Sequence, residues 1–264
     1  MLWMIQGDAP RTRYVDAIVP VLERHAIPYA LVDVMPDGWE AAADALADGR
    51  NDVCVYGTTR MTRHARSRWS PGAFVNGDFT FDACLAGWGE EMLNADARVM
   101  RLGDAEFDGV MFVRPQEDSK LFSGEIVDGR RLSFWKELRL SENRRLTPDS
   151  LIVAAGLKPI ESETRCFVVD GQVVTSSRYV SAGMLSEGPA DPDVVAYARR
   201  MVDRWRPHDN FVLDIAVSAG RHRIIEVNCI NSSGMYACDP EAIMLGLTRY
   251  VRDRVPISEG VPAP

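Results

Sequence analysis

No stretch of this chain approaches the ~20 consecutive apolar residues of a membrane-spanning helix, although 46% of its 264 residues are apolar. That apolar content is enough for a sizeable core, in one large domain or two small ones. Cysteine is sparse and unpatterned. Cys54, Cys84, Cys166, Cys229 and Cys238 make an odd number, with no Cys-x-x-Cys spacing and no Cys/His cluster. Neither a disulfide framework nor a zinc site is indicated, and cysteines in apolar runs such as Val53-Cys-Val55 behave as small hydrophobes. Basic residues are outnumbered, 30 against 38 acidic, for a formal charge of −8. That balance argues against a nucleic-acid coat or a membrane-surface binder as the main role. The apolar start Met1-Leu-Trp-Met-Ile5 has no basic residues before it and is too short for a secretory signal. The expectation is a soluble, reduced, cytoplasmic protein without internal repeats or low-complexity tracts.

Residues 1 to about 85 alternate strand and helix. Leu2–Ile5, Tyr29–Asp33 and Asp52–Tyr56 read as strands, and Tyr14–Ala26 and Trp39–Ala47 as helices. Such an alternation implies a small parallel sheet, with ligands at loops such as Gly57-Thr-Thr-Arg60. The basic cluster Arg60, Arg63, Arg66 and Arg68 is either solvated surface or a channel for an anionic substrate. Beyond residue 86 the expected elements are a helix over Glu90–Met100, a strand over Gly109–Arg114 and a short helix over Ser133–Leu138. Strands follow at Leu151–Ala154, Thr164–Val169 and Gln172–Arg178, the last two joined by the turn signal Asp170-Gly171. Pro192–Trp205 reads as a helix, and Asp239-Pro240 as an N-cap followed by proline at N1.

The most informative segment is Phe211-Val-Leu-Asp-Ile-Ala-Val217, Ser218-Ala-Gly-Arg221 and Arg223-Ile-Ile-Glu-Val-Asn228. It reads as a hairpin with Asp214 and Glu226 equally far from Gly220. Opposed residues in an antiparallel pair lie about 5 Å apart at Cβ, where like charges destabilise. Asn228, two residues beyond Glu226, shares its face. Two carboxylates and an amide oxygen set into an apolar hairpin point to a cation. Hard oxygen ligands of this kind suit Mg2+ carrying nucleotide phosphates.

Phe211-Val-Leu-Asp214 with Ile225-Glu226-Val-Asn228 resembles the metal-binding hairpin of the ATP-grasp superfamily. Phe112-Val-Arg114-Pro-Gln-Glu-Asp-Ser-Lys120, with Phe122-Ser-Gly124 after it, resembles that family's first-lobe strand, whose basic residues reach the phosphates. Glu163-Thr-Arg165-Cys-Phe-Val-Val-Asp-Gly171 resembles the Glu-x-Arg strand that opens the second lobe. The match covers about residues 109–236. It is most similar to a compact clade of ATP-grasp proteins found in phages and biosynthetic clusters.

The resemblance implies an N-terminal α/β domain over 1–85 and an α+β ATP-grasp fold of two lobes with antiparallel sheets clasping ATP. The lobes span 86–155 and 156–257, and 258–264 form a disordered tail. It further implies Mg2+ on Asp214, Glu226 and Asn228, and ATP contacts from Arg114, Lys120, Lys158, Ile160, Glu161, Glu163 and Arg165. Arg114, Arg165 and Arg178 would stand at the reacting phosphoryl group, with Arg178 alternatively pairing with a carboxylate. Asn231–Met235 would line the acceptor side, and Tyr179–Gly188 would act as a flexible lid. Thr58, Thr59, Arg60 and Arg63 are expected to touch substrate.

The implied activity is ATP-dependent ligation of a small carboxylate to an amine, amino acid or peptide in kind, through an acylphosphate. That chemistry needs no serine triad or nucleophilic cysteine, and relatives of this kind are often homodimers. Three other readings stay open at this point. They are a kinase acting on a small-molecule hydroxyl, a non-catalytic nucleotide-binding module, and a plain α/β domain with solvated hairpin carboxylates.

Overall fold

A computed structural model of the chain describes residues 1–8, 13–35, 37–74, 79–117, 121–231 and 233–255. The N-terminal unit runs β1 (Leu2–Gln6), α1 (Arg13–Arg24), β2 (Tyr29–Val32), α2 (Trp39–Ala47), β3 (Val53–Tyr56) and α3 (Thr59–Arg66). Its strands form a parallel sheet in the order β2-β1-β3. Trp3, Met4 and Ile5 of the central strand are fully buried, as expected where both faces of a parallel sheet are covered. The chain after α3 returns along β3, where the Gly72 carbonyl accepts the Val55 N–H at 2.9 Å.

The middle of the chain holds α4 (Phe81–Trp88), β4 (Arg98–Arg101), β5 (Val110–Pro115), β6 (Glu125–Asp128), α5 (Leu132–Glu142) and β7 (Leu151–Gly156). Its antiparallel sheet has the order β4-β7-β5-β6. Leu132 and Trp135 of α5 cover one face, against Val113, Val127 and Ile152. No helix spans Glu90–Met100, contrary to the sequence expectation. Gly89 leaves helical space at φ 59 and a 3-10 turn follows. Leu93 N–H then bonds the Ile224 carbonyl at 2.7 Å, and Arg98–Arg101 pair with β7. Strand partners supplied by distant residues override local helix propensity here. The boundary placed at residue 85 falls inside α4.

The last part comprises β8 (Ser162–Val169), β9 (Gln172–Ser181), β10 (Met184–Pro189), α6 (Pro192–Arg204), β11 (Phe211–Ser218), β12 (Arg221–Asn228) and α7 (Pro240–Arg254). The antiparallel order is β10-β9-β8-β11-β12. All three hairpins turn on two residues with positive φ, namely Asp170-Gly171 (51°, 70°), Ala182-Gly183 (49°, 75°) and Ala219-Gly220 (48°, 69°). That geometry matches the twist of the flanking strands. The segment Tyr179–Gly188, expected as a lid, forms the end of the β9–β10 hairpin. Cys166, Val168, Leu213 and Ile215 pack on α4 and α6. On the opposite face, Phe167, Val169 and Val212 share a core with α7 and with Trp3, Ile5 and Tyr56 of the N-terminal unit.

Helices α1 and α7 are linked by Glu241, which contacts Arg24 and lies 2.8 Å from His25 Nε2. The His25 hydrogen bond, with the Arg24 charge, holds the Glu241 carboxyl below its ordinary value of 4.5. A depressed carboxyl stabilises the fold above the unfolded-state value and loses that contribution as pH falls through the folded-state value. Glu241→Gln should thus lower Tm near pH 7 and leave it unchanged in acid below both values. Equal loss at both pH values in thermal melts would contradict this.

Candidate functional site

The hairpin register decides what the carboxylates face. Ser218 pairs with Arg221 across the Ala219-Gly220 turn, so a regular ladder would set Asp214 opposite Ile225. A register shift between Asp214 and Ile215 inserts one extra β12 residue, and Asp214 faces Glu226 instead. Bulges re-aim side chains in this way. On its other side Asp214 pairs with Arg165 of β8. Arg165, Asp214 and Glu226 thus form a row across three strands, with Asn228 and Glu163 on the same face.

Within this row Arg165 grips Asp214 with two hydrogen bonds, Nε to Oδ1 at 2.9 Å and Nη2 to Oδ2 at 2.7 Å, and Nη1 donates to the Gly234 carbonyl at 3.2 Å. Asn228 Nδ2 reaches Asp214 Oδ2 at 3.2 Å and Glu226 Oε1 at 2.9 Å. Asp214 is 0% exposed, Asn228 7% and Arg165 8%. Burial opposes the Arg165 charge, but Asp214 more than offsets it and raises the guanidinium above its ordinary value. Tyr179 and Tyr236 stack with ring centroids 4.7 Å apart, each beside Arg165 at 5.2 and 5.1 Å from Cζ. Tyr179 donates to Glu163 at 2.5 Å. Burial, and then the charges of Asp214 and Glu226, push the Glu163 carboxyl up.

A cavity of about 370 Å³ lies between this hairpin and the middle sheet, lined among others by Arg114, Gln116, Ser123, Gly124, Phe81 and Glu226. Arg114, half-buried at the end of β5, holds its guanidinium 5.6 Å from the Phe81 ring centroid. At Gly124 a side chain would begin 2.4 Å from the Phe112 ring, so only glycine lets the segment pass this close to β5. One cavity thus brings together Arg114 from the middle sheet and Glu226 from the hairpin.

The other sequence-derived residues are placed differently. Lys158 pairs with Asp96 at 2.6 Å, and Ile160 is half-buried between β7 and β8. Glu161 accepts the Gly220 N–H at 2.9 Å, fixing the hairpin turn. Arg178 is opposite Thr164 while Ser177 is opposite Arg165, so Arg178 lies on the other face of the sheet. Its Nε donates to the Ser186 carbonyl at 3.3 Å. Lys120 lies outside the described residues. In the N-terminal unit, Thr58 N and Oγ1 both donate to Gln6 Oε1 at 2.9 and 2.8 Å. Arg60 pairs with Asp37 and Arg68 with Asp44, while Arg63 is exposed.

Helix α4 and Tyr236 were not anticipated at the site from sequence, whereas Asn231 was expected there as a lining residue. Helix α4 is short, and its one signal is Thr80, whose Oγ1 accepts the Ala83 N–H as an N-cap. Tyr236 gives no local signal. Asn231 is only 2% exposed. Its Oδ1 accepts Gly57 N at 3.1 Å and its Nδ2 donates to the Ala73 carbonyl at 2.6 Å. It therefore clamps the loop carrying Gly234 onto the N-terminal unit. Asn231→Ala would strand a buried donor and a buried acceptor, at about 2 kcal/mol or more in denaturant unfolding. A change within experimental error would contradict the clamp.

Asp214, Glu226 and Asn228 offer two carboxylates and an amide oxygen within a few ångströms of one another. This hard donor set fits Mg2+, which is held by one or two carboxylates together with phosphates rather than by an all-protein cage. Among the described residues no group of three His, Cys, Asp or Glu side chains converges as such a cage would require.

A sequence model for the ATP-grasp domain, that of one clade's family 3, matches residues 37–247, well over half of the chain. D-alanine–D-alanine ligase from Bacillus anthracis, solved with ATP, is similar over 96% of this chain and 99% of that one, with a TM-score of 0.66 and 13% identity. D-cycloserine synthetase DcsG is similar over 96% of this chain and 99% of that one (TM-score 0.64, 13% identity). A RimK-domain ATP-grasp protein from Sphaerobacter thermophilus covers 96% of this chain and 98% of its own (TM-score 0.61, 12% identity). At such identities the likeness shows the fold alone. No curated protein sequence matches the chain. With the family model spanning the row Arg165, Asp214 and Glu226, the chain belongs to the ATP-grasp domain family that this model describes.

Proposed function

We propose that this protein is an ATP- and Mg2+-dependent ligase that joins a small carboxylate to an amine through an acylphosphate. The observation that carries the reading is the Arg165–Asp214–Glu226 row, with Asn228, whose Glu226 end lines the same cavity as Arg114 of the facing sheet. Anionic phosphate held between these elements would meet a guanidinium on one side and a metal-binding oxygen set on the other. The unit from β1 to α3 would face substrate, the middle and last sheets would be the two lobes, and the cytoplasm is the setting that supplies ATP and Mg2+.

Asp214, Glu226 and Asn228 would hold Mg2+. When bound, the ion supplies positive charge against the triphosphate and the transferring phosphoryl group. Arg114 contacts the phosphates directly, and Lys120 belongs to the same basic set. Lys158, Ile160 and Glu161 belong to the connection between β7 and β8, on the adenine and ribose side, and Glu163 follows them within β8. Arg165 acts through Asp214: its two hydrogen bonds fix the carboxylate plane, and a fork of this kind is specific to arginine. Arg178, on the other face, holds β10 to β9 rather than meeting substrate. The chemistry balances in two steps. A substrate carboxylate oxygen bonds the γ-phosphorus as ADP leaves, and an amine nitrogen then bonds the acyl carbon as phosphate leaves, losing its proton.

A heavy-oxygen label in the substrate carboxylate tests this. One labelled oxygen should appear in the released phosphate, and only when ATP, carboxylate and amine are all present. Phosphate transfer to a hydroxyl acceptor without any amine would replace the ligase reading by a kinase. Arg114→Ala should raise KM for ATP at least about tenfold, about 1.4 kcal/mol of lost phosphate binding. Unchanged KM and kcat would remove Arg114 from the nucleotide site.

A further inference from the structure

A second cavity of about 450 Å³ lies beyond Phe79 and Cys84, which line both cavities. Its size is in the range of ligand pockets, about 300–1,000 Å³. Its aromatic walls are Phe74, Phe79, Trp205 and Tyr250, and its polar lining includes Arg66, Ser70 and His208. His208 Nδ1 accepts the Asn210 N–H at 3.2 Å, which makes Nε2 the protonated nitrogen of the neutral ring and hence a donor. A guanidinium carries five donors, so Arg66 can bond a protein group and a ligand together.

The walls are held from behind. Trp205 meets Trp88 edge-on with centroids 4.7 Å apart, and at Gly87 a Cβ would begin 2.2 Å from the Trp205 ring. Arg254 lies 3.8 Å from the Tyr250 ring centroid. Phe74 keeps φ at +44°, a conformation that costs a bulky residue on the order of 1–3 kcal/mol and that clusters at functional sites. The next-door Ala73 carbonyl accepts from Asn231, three residues past Asn228. The cavity is therefore tied to the metal hairpin through Asn231 and to the nucleotide cavity through Phe79 and Cys84.

We propose that this cavity is a second small-molecule site, for a carboxylate carried on a flat aromatic or apolar body. The rings take the body, and Arg66 and His208 take the carboxylate. Binding there does not depend on the ligase reading. The ligand comes from one of two sources, the carboxylate to be activated or an effector of the same chemistry.

Calorimetric titration of the full chain with phenylacetate and indole-3-acetate tests the site, with phenylacetamide and benzylamine as the neutral and cationic counterparts. Saturable binding of the acids is expected, with the amide and the amine weaker by at least about tenfold. Ala83→Trp, which fills the cavity from α4, should abolish binding, and His208→Ala should weaken it several-fold. Glu226→Ala, in the other cavity, should leave it unchanged. If Ala83→Trp fails to fold, the Arg66→Gln/His208→Ala pair takes its place. Failure of both acids to saturate, equal affinity for the amide, or full binding by Ala83→Trp would each overturn the proposal. With ATP, Mg2+ and an amine pool added, consumption of the acid with matching ADP identifies a substrate. A changed KM for ATP without consumption identifies an effector, and binding that moves neither overturns the coupling. Loss of Glu226 abolishing turnover while acid binding persists would separate failure of this site from failure of the ligase reading.

Discussion

Replacing Asp214 by alanine should cost about 3–5 kcal/mol of stability and end nucleotide turnover together, because Arg165 would be left buried without its counter-charge. Two hydrogen bonds at 2.9 and 2.7 Å join the pair, and Asp214 is 0% exposed. Glu226→Ala should behave differently. Glu226 is half-buried at the edge of a cavity, and its bond from Asn228 is its one side-chain hydrogen bond among those described. Its loss should change stability by no more than about 1 kcal/mol while abolishing turnover. Chemical denaturation with ADP-release assays on both variants gives the comparison. Equal destabilisation by the two substitutions would show that the row is structural throughout. Asp214→Asn in combination with Arg165→Met should recover stability relative to Asp214→Ala, yet remain inactive.

The second large effect is expected at Gly72→Ala. A Cβ at this position would sit 1.9 Å from the Val53 carbonyl oxygen and 2.8 Å from its carbon. Both are backbone atoms of β3, so no side chain can swing aside. Either the 69–74 segment or β3 must shift, breaking the Val55 N–H bond to the Gly72 carbonyl at 2.9 Å. The cost should be about 3 kcal/mol, the upper range for overpacking. For a chain of this size that lowers Tm by roughly 6–12 °C. Ala73, one residue on, bonds Asn231, so the same shift should also loosen the Asn231 clamp. A Tm within about 2 °C of the parent would contradict the close approach.

The pairing of Asp214 with Glu226 was legible in sequence, but the reason was not. Counting residues from Gly220 suggests a symmetric hairpin, whereas the turn is centred between Ala219 and Gly220 and a β-bulge restores the pairing. The parallel unit was legible because all-apolar runs such as Trp3-Met-Ile5 and Val53-Cys-Val55 alternate with amphipathic helices. The face of Arg178 was not, since a register shift in β9 next to it is set by strand pairing rather than by local residues. Met92 and Leu93 escaped for a similar reason, their strand partner Ile224 lying far along the chain. Tyr236 reaches Arg165 only through the fold of the loop after β12. Charge partners were equally illegible, and nothing in sequence joins Lys158 to Asp96.

The most direct test of the central claim is calorimetric titration of ATP at several Mg2+ concentrations, on the parent protein and on Glu226→Ala. The parent should bind ATP more tightly as Mg2+ is raised. Glu226→Ala, folded to the same extent, should lose that dependence and bind at least about tenfold more weakly, a loss of about 1.4 kcal/mol or more. Equal affinity and equal Mg2+ dependence in both proteins would contradict the account, because the Asp214–Glu226–Asn228 face would then not be where the metal and nucleotide meet.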